Sequence, residues 1–133
     1  MFLDIGLGII SAILVGNWFD LPLSGWLLVC GIAFALLIDL DFVIQYFFQK
    51  KVDYKHRELF HYPLLYIPLG FFAIVFFNIP YAVLFILAAL CHFLHDSIGI
   101  GWGVQWLYPF SKNHYNFFYR YTRPDVPALP IVL

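Results

Sequence analysis

Charge is scarce in this chain. Lys, Arg, Asp and Glu make up 11% of its 133 residues and hydrophobic side chains 63%, against about 25% and about 45–50% in a soluble globular domain. So short a soluble chain cannot hide that much apolar surface, so lipid must cover it. A basic excess is also missing. The net charge of −1 leaves no broad basic surface and excludes nucleic acid as a partner. Cysteine is limited to Cys30 and Cys91, both inside apolar runs and without zinc-ligand spacing. They read as small apolar packing residues. The opening Met1-Phe2-Leu3-Asp4 lacks the positive segment that begins a cleavable signal peptide, so the first run is expected to stay as a helix. No internal repeat, Gly-rich phosphate loop or Ser-His-Asp order occurs. The alternation of a spanning barrel is absent as well, which leaves helices as the spanning form.

Four apolar runs are present, at roughly residues 2–19, 23–42, 59–77 and 79–98, the second with an aromatic extension to Phe48. Each is near the roughly 20 residues that cross a hydrocarbon core of about 30 Å. Asn17-Trp18-Phe19-Asp20-Leu21-Pro22 and Asn78-Ile79-Pro80 are turn signals, and such short links predict antiparallel hairpins. Pro63 suits the first turn of the third helix, and Pro68 is placed to kink it. The expected fold is all-α: a polytopic membrane protein, a bundle of about four transmembrane helices. Residues 1–121 form this domain, and 122–133 form a Pro-rich C-terminal tail too broken to span.

All seven basic residues fall in two places. Lys50, Lys51, Lys55 and Arg57 lie between the second and third runs, and Lys112, Arg120 and Arg123 follow the fourth. The other two connections have no Lys or Arg. The positive-inside rule then puts both termini and the middle loop in the cytoplasm.

Asp and His gather at that same end. An Asp at the centre of a spanning helix costs about 2.5–3.5 kcal/mol on insertion scales, so these residues need a reason. Asp39 and Asp41 close the second run, His56 and His61 bracket the start of the third, and His92, His95 and Asp96 close the fourth. His92 and Asp96 are four residues apart and share a helix face, a geometry suited to two ligands of one metal. His95 turns about 60° away and would face substrate or support a ligand. A regular helix aims Asp39 and Asp41 about 200° apart. Either the helix breaks there or only one of the two is a ligand. Asp41 is the favoured ligand, with Asp39 either a further ligand or the partner of one. His56 and His61 would lie about 140° apart on a helix, so His56 is expected on the preceding loop. Nitrogen and carboxylate donors without thiolate suit Zn²⁺, Mn²⁺ or Fe²⁺. Taken singly, each His fits better as a polar cap. The set of Asp41, His56, His61, His92 and Asp96 points to a metal.

Other segments say less. The stretch 99–106, with Gly99, Gly101, Gly103, Trp102 and Trp106, fits an aromatic anchor at the headgroup level, or a loop over the site. Arg57 is placed to clamp a phosphate or to signal topology. The segment 112–120, with His114, is expected to be an interfacial helix.

The order of these motifs resembles the YdjM-like family of inner-membrane, metal-dependent hydrolases. The residues that carry the likeness are Asp39-Leu40-Asp41, then His56-Arg57-Glu58-Leu59-Phe60-His61, then His92-Phe93-Leu94-His95-Asp96, then a Gly-rich stretch ending in Tyr108-Pro109-Phe110. Ile38, Phe42, Glu58 and Phe60 depart from the family pattern, and its N-terminal Thr-His is absent, with Asp4 the nearest polar residue. The resemblance then implies fewer ligands here, one metal instead of two. That family is similar to zinc-dependent phospholipase C in its His and Asp motifs, which implies phosphoester hydrolysis, although motif kinship does not fix a substrate. The expected function is hydrolysis of a phosphoester or lipid headgroup at the cytoplasmic face, with membrane lipid as partner, Asp39 or His95 moving a proton and Arg57 gripping an anion. Non-enzymatic metal binding or transport, or a structural membrane subunit, are the alternatives.

Overall fold

The computed structural model describes residues 2–40, 61–98 and 103–117. Four helices make up its regular structure: α1 (Phe2–Trp18), α2 (Gly25–Leu36, continued by a 3-10 turn over Leu37–Asp39), α3 (Pro63–Val75) and α4 (Ile79–Ile98). No strand forms among the described residues beyond a single antiparallel bridge between Val104 and Tyr115. Helix α4 is the one described helix long and apolar enough to cross a membrane by length and composition; the other three are apolar but shorter.

Local chemistry explains the boundaries. Helix α1 ends at a backbone turn in which Asp20 takes the left-handed conformation (φ 51°), which Asp tolerates better than most residues. The Leu21 amide then donates back to the Gly16 carbonyl at 2.9 Å. Ser24 caps α2 by accepting from the Leu27 amide at 3.2 Å. Pro63 occupies the first turn of α3, where its missing N–H costs nothing. That start is later than the apolar run suggested, because His61 and Tyr62 are not helical. Asn78 caps α4, its Oδ1 accepting from the Tyr81 amide at 3.2 Å.

Helices α1 and α2 pack as one hairpin, α3 and α4 as another, and α4 also touches both α1 and α2. Helices α1 and α2 approach closely where Gly8 faces Gly31: a Cβ on Gly8 would lie 2.6 Å from the Gly31 carbonyl oxygen. One core cluster joins Ala12, Val15, Leu27 and Leu84. A second joins Ile38, Ala89, Phe93 and Val104 and lies at the end of the bundle that carries the Asp and His residues. The outward faces are apolar too: Leu14, Trp26, Leu69, Phe72 and Phe77 are exposed. Polar water does not suit so continuous an apolar exterior.

The interfacial helix expected over 112–120 does not form in its described part, 112–117, which belongs to the segment 103–117. Its described residues are irregular. They double back through the Val104–Tyr115 bridge, and the Phe117 amide donates to the Ser97 carbonyl at 2.8 Å. Trp106 donates Nε1–H to Ser97 Oγ at 2.8 Å and sets its ring edge-on to Phe93. Tyr108 stacks on Tyr62 with centroids 4.0 Å apart. Tertiary contacts with α3 and α4 account for the difference, since composition alone registers only the aromatic content.

Candidate metal centre

The site forms where α1, the end of α2, the start of α3 and the end of α4 meet. On α4, the 3.6-residue repeat stacks Ala88, Ala89, His92, Phe93 and Ser97 on buried positions. His92 is 1% exposed. Asp96 follows one turn later on the same face, its Oδ2 3.7 Å from His92 Nε2. His61 arrives from the irregular approach to α3, is 2% exposed, and sets Nε2 3.3 Å from Asp96 Oδ2. Its ring centroid lies 5.9 Å from that of His92.

Asp39 reaches the same point from α2. The helix tightens into a 3-10 turn over Leu37–Asp39 just where it presents this side chain. Asp39 Oδ1 lies 3.6 Å from His92 Nε2 and 4.0 Å from His61 Nε2, and its side chain is 41% exposed. Asp39, His61 and His92 thus form a group able to hold a metal ion, with one ligand atom from each within 4.8 Å of the others. Asp96 belongs beside them on distance, since its Oδ2 is nearer His61 than Asp39 is. Asp41, His56 and Arg57 lie outside the described residues.

Two properties fit a cation at this point. Ligand atoms on one ion sit about 3–4 Å apart when bonds are near 2.0–2.2 Å, and the imidazole–carboxylate separations here run from 3.3 to 4.0 Å. His92 Nε2 is also fully buried and makes no hydrogen bond among the described residues. A buried polar atom without a hydrogen bond is costly. A metal bond would satisfy it.

Asp4 is the residue that the motifs did not single out. It lies in the first turn of α1 and is 1% exposed. Its Oδ1 accepts a hydrogen bond at 3.1 Å from His95 Nδ1. The same oxygen is 3.1 Å from His92 Nδ1, a close charge contact that is not aligned as a hydrogen bond. The available signal was an acid inside an apolar run, the same signal that drew attention to Asp39. His95 is thereby tied to α1, its side chain 31% exposed. Two further carboxylates, Asp39 and Asp96, face the imidazoles of His61 and His92 within a largely apolar bundle. Paired negative charge in such a setting calls for a balancing positive one.

A protein-family model described as YdjM inner membrane protein matches residues 3–132 of the chain. No curated protein and no solved structure matches it.

Proposed function

We propose, for a chain that belongs to the YdjM inner membrane protein family, that it is a metal-dependent hydrolase acting on a phosphoester, with a lipid headgroup as the substrate class best suited to its location. One observation carries this reading: His92 is buried with Nε2 lacking a hydrogen bond among the described residues, and it faces Asp39 and Asp96 beside His61.

Asp39, His61, His92 and Asp96 would hold the ion, with Asp41 and His56 as further donors, and the nitrogen–oxygen donor set favours Zn²⁺ over softer metals. When bound, such an ion lowers the pKa of a water and polarises a phosphoryl oxygen. The chain's own groups supply positioning and proton movement. Asp39 is the most exposed carboxylate of the cluster and is placed to accept a proton from incoming water. His95, held at Nδ1 by Asp4, would return a proton to the leaving group through its other nitrogen. Arg57 would grip the phosphate with its planar fork. In this reading the four apolar helices cross the inner membrane as two hairpins with both termini cytoplasmic. The complete segregation of Lys and Arg supports that orientation.

The test is metal content per chain alongside a panel of phosphomonoesters, phosphodiesters and phospholipids, on purified protein and its His92→Ala variant. Bound Zn²⁺ with turnover that the variant loses supports the reading. Bound metal with no turnover on any phosphoester favours a non-enzymatic metal protein, and a wild type that takes up no metal from replete medium removes both.

A further inference from the structure

The metal reading leaves one buried acid unused. Asp4 lies on α1, across His92 from the cluster: Nδ1 of the ring faces Asp4 and Nε2 faces Asp39 and Asp96. The two nitrogens of one imidazole thus have different partners. Which nitrogen carries the proton decides which one has a lone pair to offer a cation. A carboxylate only accepts hydrogen bonds, so it favours the tautomer with N–H on the nitrogen beside it. Asp4 Oδ1 does this to His95 through a hydrogen bond and to His92 through the close contact at the same distance, 3.1 Å in each case.

We propose that Asp4 is a positioning residue, which holds His92 and His95 as their Nδ1–H tautomers and so directs the lone pair of His92 Nε2 into the Asp39–His61–Asp96 cluster. The consequence for metal affinity rests on the hydrolase reading above; the tautomer assignment does not. Three features support the role. Asp4 is 1% exposed, so its carboxylate is not solvated by bulk water. Its two imidazole partners sit three residues apart on α4, so one oxygen serves both. The Gly8–Gly31 approach, one turn along α1 from Asp4, fixes the helix that carries it. Partners of this kind behind a metal-bound imidazole fix ring orientation and raise ligand basicity, and losing one costs about 10–100-fold in affinity.

The experiment uses the full chain in detergent micelles with ¹⁵N-labelled histidine. Long-range ¹H–¹⁵N correlation reads the tautomer of each ring in the metal-free protein, and Co²⁺ titration followed by visible absorption reads metal affinity. Asp4→Asn keeps the shape of the side chain but removes its charge. Ser11→Ala alters a buried side chain on the same helix, one that bonds only its own backbone in the described contacts. Wild type is expected to show Nδ1–H on His92 and His95. Asp4→Asn should shift both rings toward mixed tautomers and weaken Co²⁺ binding about 10–100-fold, while Ser11→Ala changes neither. Wild-type rings found as Nε2–H, or Asp4→Asn rings unchanged from wild type, overturn the proposal even if Co²⁺ binds well. Wild type that shows Nδ1–H but binds no Co²⁺ instead removes the metal reading and leaves Asp4 as the residue that sets the tautomers.

Discussion

His61 Nε2 lies 3.3 Å from Asp96 Oδ2, which ties the chain just ahead of α3 to the last turn of α4. These two helices are already linked at their other ends through Phe76–Asn78. The pair is therefore held at both ends, and the second closure is made of groups that can bind metal. Whatever occupies the cluster also fastens the hairpin.

Removing a ligand should therefore empty the site without preventing insertion. In His92→Ala and Asp96→Ala, an apolar helix loses polar surface, so membrane entry becomes no harder. The expected result is wild-type abundance in the membrane fraction with bound metal reduced to background. Measuring both on the same preparations separates this from a structural role, for which abundance would fall. Variants that retain full metal content would remove these residues from the ligand set.

What was legible in the sequence depended on range. The four apolar runs are a local property, and the described helices fall within them. The shared face of His92 and Asp96 follows from helix geometry alone, and the two side chains do meet at 3.7 Å. Asp39 was ambiguous because its spacing from Asp41 allowed either a helix break or a single ligand; the 3-10 turn at Leu37–Asp39, with Ile38 buried in one cluster with Phe93 and Val104, is a tertiary feature that no local pattern records. Asp4 was passed over because its partner His95 is 91 residues away. The return of 103–117 onto α4 was not legible for the same reason. Its bonds to Ser97 and its stack on Tyr62 depend on tertiary placement.

The Gly8–Gly31 contact should be intolerant of a methyl group. With a Cβ 2.6 Å from a carbonyl oxygen, Gly8→Ala must push α1 off α2, at about 1–3 kcal/mol. Gly6, on the same helix, has nothing within 4 Å of its would-be Cβ, so Gly6→Ala should be neutral or gain about 0.5–1 kcal/mol. Thermal unfolding in detergent distinguishes the two. Equal midpoints would mean that α1 and α2 are not held at this distance.

Gly103 and Trp106 give a graded test of the return segment. Gly103 has φ of 75°, and a Cβ there would run into the Tyr115 backbone carbonyl. Trp106→Phe loses the bond from Nε1 to Ser97 Oγ and part of the ring's packing on Phe93, while Ser97 keeps its own bond to the Phe93 carbonyl at 2.8 Å. The expected cost is about 0.5–1.5 kcal/mol for Trp106→Phe and more for Gly103→Ala, where about 1–2 kcal/mol of left-handed strain adds to the clash. The reverse order of unfolding midpoints would count against the bridge between Val104 and Tyr115.

Orientation has its own test, motivated by the confinement of all seven Lys and Arg residues to two segments. Single cysteines replacing Lys51 and Lys112 should react only after the membrane is opened to the reagent. Cysteines replacing Asp20 and Asn78 should react in intact cells. Labelling of residue 51 from outside would reverse the topology, and with it the side from which substrate arrives.

The separation between Asp4 and His95 also bears on how the protein is made. A ribosome adding about 5–20 residues per second needs roughly 5–20 seconds to pass from Asp4 to His95, 91 positions later. Throughout that interval α1 carries a carboxylate whose imidazole partners do not yet exist. A nascent chain interrupted before α4 therefore carries an acid in an otherwise apolar helix, which favours a shallow, reversible seat near the headgroups. Arrival of α4 brings two imidazoles within 3.1 Å of that carboxylate.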